Sequence, residues 1–277
     1  MSTAAALARA GRAVIVKTVT IYFRYPLNIL NSILIPLYQF LIPGLLLGAT
    51  FAVGGRAVGL QSTAGTGDVA GFLFLGAFAM SFSYGIFWAV SRTLTAEMVN
   101  GTLEASWLTP TPRELFPLAS SAASLLLAPV VGTVLLLLGS LLFGAHYLLT
   151  ILAGLPYLAI MAVGLVGMGY VVAAMVLALK QAGFLVDMMG YLAAIGSGAM
   201  FPVTILPRWL ELVTLALPTT LTLDVLRAHA LGTSTLLPAT AENAAMAATA
   251  IAWLALGRWV FLRTERRLRV SGGLAHY

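Results

Sequence analysis

Charged side chains divide this chain into uncharged runs that are long and nearly continuous in apolar residues. Between Arg24 and Arg56 lie 31 uncharged residues, between Asp68 and Arg92 another 23, and from Leu115 to Leu179 there are 65. A helix crossing about 30 Å of hydrocarbon needs roughly 20 apolar residues. The first two runs therefore predict one crossing each. The third is too long for one and is broken at "GAHYLLT", residues 144–150, where Gly144 and His146 suit a tight turn. Lys180 and Gln181 mark the next turn, and 182–201 reads as a fifth crossing interrupted only by Asp187. A sixth runs from Asn243 to Leu262, with Arg258 near enough to its end to reach the interface along its methylene stem. The predicted spans are 27–53, 69–91, 115–143, 151–179, 182–201 and 243–262, within one all-α membrane domain covering 1–277.

Composition agrees: 60% of residues are hydrophobic and 9% charged, against about 25% charged in a soluble domain. Six crossings put both termini on one side. Assigning that side to the cytoplasm places 12 of the 15 basic residues inside, with only Arg56, Arg208 and Arg227 outside, as the topological bias of Lys and Arg in short loops requires. The net charge of +6 is thereby explained by topology, and nucleic acid is not an expected partner. No cysteine is present, which excludes disulfides and thiolate chemistry. Arg9, Arg12, Lys17 and Arg24 are scattered among apolar residues, whereas a secretory signal clusters its charge ahead of an apolar core, so no cleaved signal is expected. Residues 1–25 suit a helix lying in the interface before Pro26 turns the chain into span one; a disordered lead with an early span start is the other reading.

Residues 92–114, "RTLTAEMVNGTLEASWLTPTPRE", lie between spans two and three and bring charges back at close spacing. Ser91 to Val99 can extend span two as a helix. Gly101 permits a break, Thr102 can cap a short helix from Leu103 to Leu108, and Pro110 ends it. Thr111-Pro112-Arg113-Glu114 has the form of a capping box opening span three. The residues alone leave two readings open, a solvated connector or a stiff rod between hinges.

Within this loop "EMVNGTLEASWLTP", Glu97 to Pro110, resembles the Glu-x-x-x-Gly-Thr-Leu-Glu-x-x-x-x-x-Pro signature of ABC-2 type transporter permeases, departing from many members at Trp107-Leu108. "SGAMFPVTILPRWLELVTLALPTTLTLDVLRAHALG", residues 197–232, is similar to that family's segment before the last span, and the tail "RTERRLRVSGGLAHY" resembles its basic ends. The resemblance implies six spans with a cytoplasmic amino-terminal helix. It makes 92–114 a cytoplasmic coupling loop whose helix docks on a separate nucleotide-binding subunit, with Glu97, Gly101, Thr102, Leu103, Glu104 and Pro110 as the coupling set. It makes 202–232 an extracellular re-entrant hairpin marked by Pro202, Pro207, Trp209, Asp224 and Arg227, with Asp224 and Arg227 spaced to pair on one face; a hairpin lying flat on the surface is the alternative. Residues 263–277 become a cytoplasmic tail.

No G-x-x-x-x-G-K-[ST] occurs, so ATP with Mg is expected on the partner, and no cofactor is expected on this chain. The expected assembly has two ATPase copies and a second permease, identical or related, in the cytoplasmic membrane, in contact with lipid. Its substrate is expected to be a hydrophobic or amphipathic drug, antibiotic, lipid or lipid-linked glycan. An ATP-independent scaffold or channel is the competing class. An enzyme has little support: Asp187 is the only acid within a predicted span, H-E-x-x-H is absent, the three histidines fall in loops or the tail, and neither a catalytic nor a metal residue is assigned. Asp187, seven residues after Lys180 and so on its face if one helix holds both, lines the pathway or is wetted near the interface. Phe78 and Phe82 of span two line an apolar cavity or pack. Gly169 with Ala173, and Ala174 with Ala178, permit close helix approach in span four.

Overall fold

The computed structural model describes residues 3–43, 45–46, 58–109, 111–143 and 146–270, and among them no strand occurs. The helices are α1 Thr3–Arg24, α2 Pro26–Pro36, α3 Val58–Ala64, α4 Val69–Val99, α5 Leu103–Trp107, α6 Leu115–Phe143, α7 His146–Ala153, α8 Leu155–Leu179, α9 Ala182–Gly196, α10 Arg208–Thr214, α11 Pro218–Leu231 and α12 Ala239–Val270. Four of them, α4, α6, α8 and α12, are long and apolar enough to cross a membrane, and α10 with α11 form a bent pair at 94° that passes the same test as a broken span or re-entrant loop. The described part of span one is α2 followed by a π-helical turn, Leu37–Leu41; residues 47–53, the Gly144 turn position and tail residues 271–277 lie outside the described residues.

α4 is the hub. Asp68 caps it by accepting from the Gly71 N–H at 2.9 Å, and the helix runs unbroken for 31 residues, about 46 Å. Phe72, Phe74, Phe78 and Phe87 are all buried along it. α6, α8, α9 and α11 pack around α4, and α12 lies along α8. Glycines set the closest approaches: a Cβ at Gly257 of α12 would strike the Gly167 carbonyl of α8, and one at Gly190 of α9 would strike the Tyr84 ring of α4. Gly169, Ala173 and Ala174 are buried inside the subunit, while Ala178 is exposed.

Several boundaries differ from the sequence reading. Residues 146–153 are helical, and the chain breaks again at Gly154. Lys180 takes a left-handed conformation, φ 58°, and ends α8, so Lys180 and Asp187 sit on different helices and share no face. α9 stops at Gly196 after 15 residues, five short of the predicted end, because Gly198 turns the chain at φ 70°. The last helix is longer at both ends than 243–262, spanning 32 residues. Helix α3 was not anticipated.

Candidate functional site

The loop between α4 and α6 is built by three ion pairs that reach far along the chain. α4 ends at Val99; Asn100 caps it and Gly101, at φ 65°, reverses the chain into α5. Glu97, buried in the last turn of α4, receives the Lys17 ammonium from α1 at 2.7 Å, the Thr102 hydroxyl at 2.5 Å and the Ser106 hydroxyl at 3.5 Å. One carboxylate thus ties α1, α4 and α5 together. The Thr102 hydroxyl turns back to α4 and does not cap α5, because the buried carboxylate is the stronger acceptor.

The other end of the loop is fastened to α12. Arg113 donates to the Trp107 carbonyl at 2.9 Å, closing the end of α5, lies 5.9 Å from the Trp107 ring and pairs with buried Glu265 at 3.3 Å. Glu114 takes a two-pronged contact from Arg258, at 2.8 and 3.2 Å, and its carbonyl accepts from the Tyr170 hydroxyl. The capping box is therefore not formed: α6 begins at Leu115, and the Glu114 carboxylate is spent on Arg258. Leu103 and Trp107 face inward and are buried, whereas Gly101 and Thr102 are exposed. Val99 and Leu108, at 80% and 88% exposure, are large apolar side chains left uncovered. Pro110 and the Glu104 side chain lie outside the described residues.

Loss of the Glu97 anchor has a measurable effect. Glu97→Gln keeps the shape but removes the charge that holds Lys17 and strengthens two hydroxyl contacts, so we expect a stability loss of about 1–2 kcal/mol. Lys17→Met alone costs less, since Lys17 is half exposed. A double-mutant cycle by thermal unfolding in detergent should return a coupling of about 0.5–1 kcal/mol; additive losses would show the pair to be inert.

At the opposite end the α10–α11 hairpin is locked by Arg227. Its guanidinium, 6% exposed, donates to the carbonyls of Gly198, Ala199 and Phe72 at 2.9, 3.1 and 3.0 Å and lies 3.3 Å from the Phe72 ring centroid. The predicted pairing with Asp224 is replaced: among the described residues Arg227 forms no ion pair. Asp224 instead accepts from the Leu236 N–H at 2.6 Å and lies beside Glu242, a buried acid the sequence reading did not single out. Pro202 precedes a short 3-10 turn, Pro207 precedes α10, and Trp209 projects outward at 67% exposure. Asp187 is half-buried on α9, within electrostatic reach of Tyr84. Phe78 is buried and stacks edge-on to Phe82 at 5.4 Å; Phe82 reaches a cavity of about 250 Å³ bounded by α1, α2, α4 and α6.

The described residues thus form a helical membrane domain with a braced loop at one end and a locked hairpin at the other. The model of the ABC-2 type transporter family matches residues 10–231, and the chain belongs to that family. No curated protein matches it.

Proposed function

We propose that this chain is the transmembrane permease subunit of an ATP-driven exporter, with α5 as the coupling helix that takes up the movement of a separate ATPase. The reading rests on one observation: an element anchored to α1, α4 and α12 presents two uncovered apolar side chains, Val99 and Leu108. A rod fixed at both ends transmits displacement that a loose loop absorbs, and exposed apolar groups on a rigid base are what a docking partner covers. Both termini and α5 then face the cytoplasm. Two permease copies, or this chain and a related one, join two ATPase subunits that bind ATP and Mg, because one subunit alone encloses little pathway. The cargo is a hydrophobic or amphipathic compound, of the drug, antibiotic, lipid or lipid-linked glycan classes, and accumulation assays across such a panel would sort them.

The test is co-purification. Leu108→Asp together with Val99→Asp should reduce the ATPase recovered with the permease by about tenfold or more while leaving permease abundance unchanged. Recovery unaffected by both changes, or a wild-type particle that brings no ATPase, would overturn the proposal in favour of a scaffold or channel.

A further inference from the structure

The cavity between α1, α2, α4 and α6 carries a gradient of chemistry along its depth. α4 runs toward the coupling loop, so Arg92 and Thr93 sit at the loop end and Phe82 lies some ten residues, about 15 Å, deeper. α2 runs the other way and repeats the order, with Asn28 at its loop end and Ile35 deeper. From α6, which leads away from the loop, Leu127 and Val131 enter only in the deep part. The mouth is therefore cationic and hydrogen-bonding, and the interior is mainly hydrocarbon and aromatic, with the hydroxyls of Ser81, Tyr84 and Ser124 among its lining.

The charges at the mouth are unbalanced. Lys17 and Arg92 line the cavity and, among the described residues, no carboxylate does. Lys17 is already held by Glu97. Arg92 is not: among the described residues it forms no ion pair, and its contacts include a long one to the Asn28 amide oxygen at 3.4 Å and the face of Trp88 at 5.0 Å, with Tyr22 also within electrostatic reach. A guanidinium stacked on an indole and flanked by amide and hydroxyl groups is pre-set to take an anion with two parallel hydrogen bonds. The volume, about 250 Å³, equals roughly eight water molecules in the liquid, room for a head and the first part of a chain. Pro36, the last residue of α2 before the π-helical turn, forms part of the deep wall.

We propose that this cavity binds an amphiphile with an anionic head, the head on Arg92 and the chain against Phe82, Ile35 and Leu127. This deepens the permease reading, on which it rests, by naming the class of molecule admitted from the inner leaflet. A phospholipid of the membrane and an exported amphiphile share this chemistry.

The experiment uses the full chain in nanodiscs of phosphatidylcholine, with a bromoalkyl phosphate as probe and the bromoalkyl alcohol as its neutral twin, read by bromine quenching of tryptophan fluorescence. The phosphate should quench saturably, and Trp88→Phe should remove most of the quench. Arg92→Gln should weaken the phosphate about tenfold, leaving the alcohol unchanged, and Arg92→Lys should recover part of the loss. Equal binding of the phosphate to wild type and Arg92→Gln, or a quench that survives Trp88→Phe, would overturn the site. Adding phosphatidylglycerol to the disc identifies the source: competition with the probe marks a membrane lipid, whereas undiminished probe binding marks a free amphiphile, and both outcomes uphold the anionic site. The measurement needs no ATPase. Failed binding with ATPase co-purification intact would remove this site alone, and failed co-purification with binding intact would remove the partner reading alone.

Discussion

Gly257→Ala is expected to cost at least about 3 kcal/mol of stability, although glycine to alanine inside a helix normally gains about 1 kcal/mol. The sign reverses because of where the methyl group goes. The new Cβ would be driven into the carbonyl of Gly167, and backbone has no rotamer to offer in relief. α8 and α12 would have to part along a seam where Gly167 is itself seated against the Trp253 and Leu254 backbone. Gly183→Ala on α9 is the matched control, since its Cβ meets nothing within 4 Å; it should be neutral or mildly stabilising. Thermal unfolding of the two variants in the same detergent, followed by size-exclusion of the survivors, checks the pair. Equal behaviour would mean that the α8–α12 seam is not the close contact described.

The seam also shows how far a sequence of this kind can be read. Long uncharged runs reveal α4, α6 and α8, and an apolar run interrupted only by Arg258 reveals α12, because a span must be apolar along most of its length whatever it touches. Which face is buried stays hidden, since α8 is apolar all round and no periodicity separates neighbours from lipid. Gly169 was legible as small, but the tight partner, Gly167 on Gly257, depends on a register between two helices far apart in the chain. Lys180 was legible as a turn, with Asp187 in the span beyond it, but not as a left-handed residue.

At the candidate site the break at Gly101 and the short helix after it could be read from local rules, since conformational freedom and helix stops act over a few residues. The anchors could not. Lys17 meets Glu97 across 80 positions, Arg258 meets Glu114 across 144, and Arg227 meets Phe72 across 155. A sequence this poor in charge does leave one usable signal. With nine acids in 277 residues, each one beside apolar sequence is costly unless it is paired. Glu97 and Glu265 are indeed buried and each meets a cation from a distant segment, Lys17 of α1 and Arg113 of the loop before α6, while buried Glu242 sits beside a second acid, Asp224. Asking what each acid is for would have pointed to the braces; it would not have supplied their partners.

Arg227→Met should be as damaging as the glycine change, for the opposite reason. Nothing collides; three carbonyl groups lose their donor at once. Gly198 and Ala199 lie just past the end of α9, where helix carbonyls have no successor N–H to satisfy them. Each buried acceptor left unpaired costs about 1–3 kcal/mol, so a total of about 3–5 kcal/mol is expected, with the loss of the Phe72 ring contact included. Arg227→Lys should fall in between, because one ammonium cannot span carbonyls on two segments as a planar fork does. The location makes the loss specific. Arg227 is the point at which α11 grips both the end of α9 and the first turns of α4, and a Cβ at Gly76 would strike the Ala199 carbonyl, so the segments have no slack. Freed of that grip, the hairpin should become open to protease cleavage between α10 and α11 before the rest of the protein unfolds, with the α8–α12 seam still intact. Limited proteolysis beside thermal unfolding reads both effects. Global unfolding without early cleavage would show Arg227 to be a general support for the core, and unchanged stability would show that water replaces it at the three carbonyls.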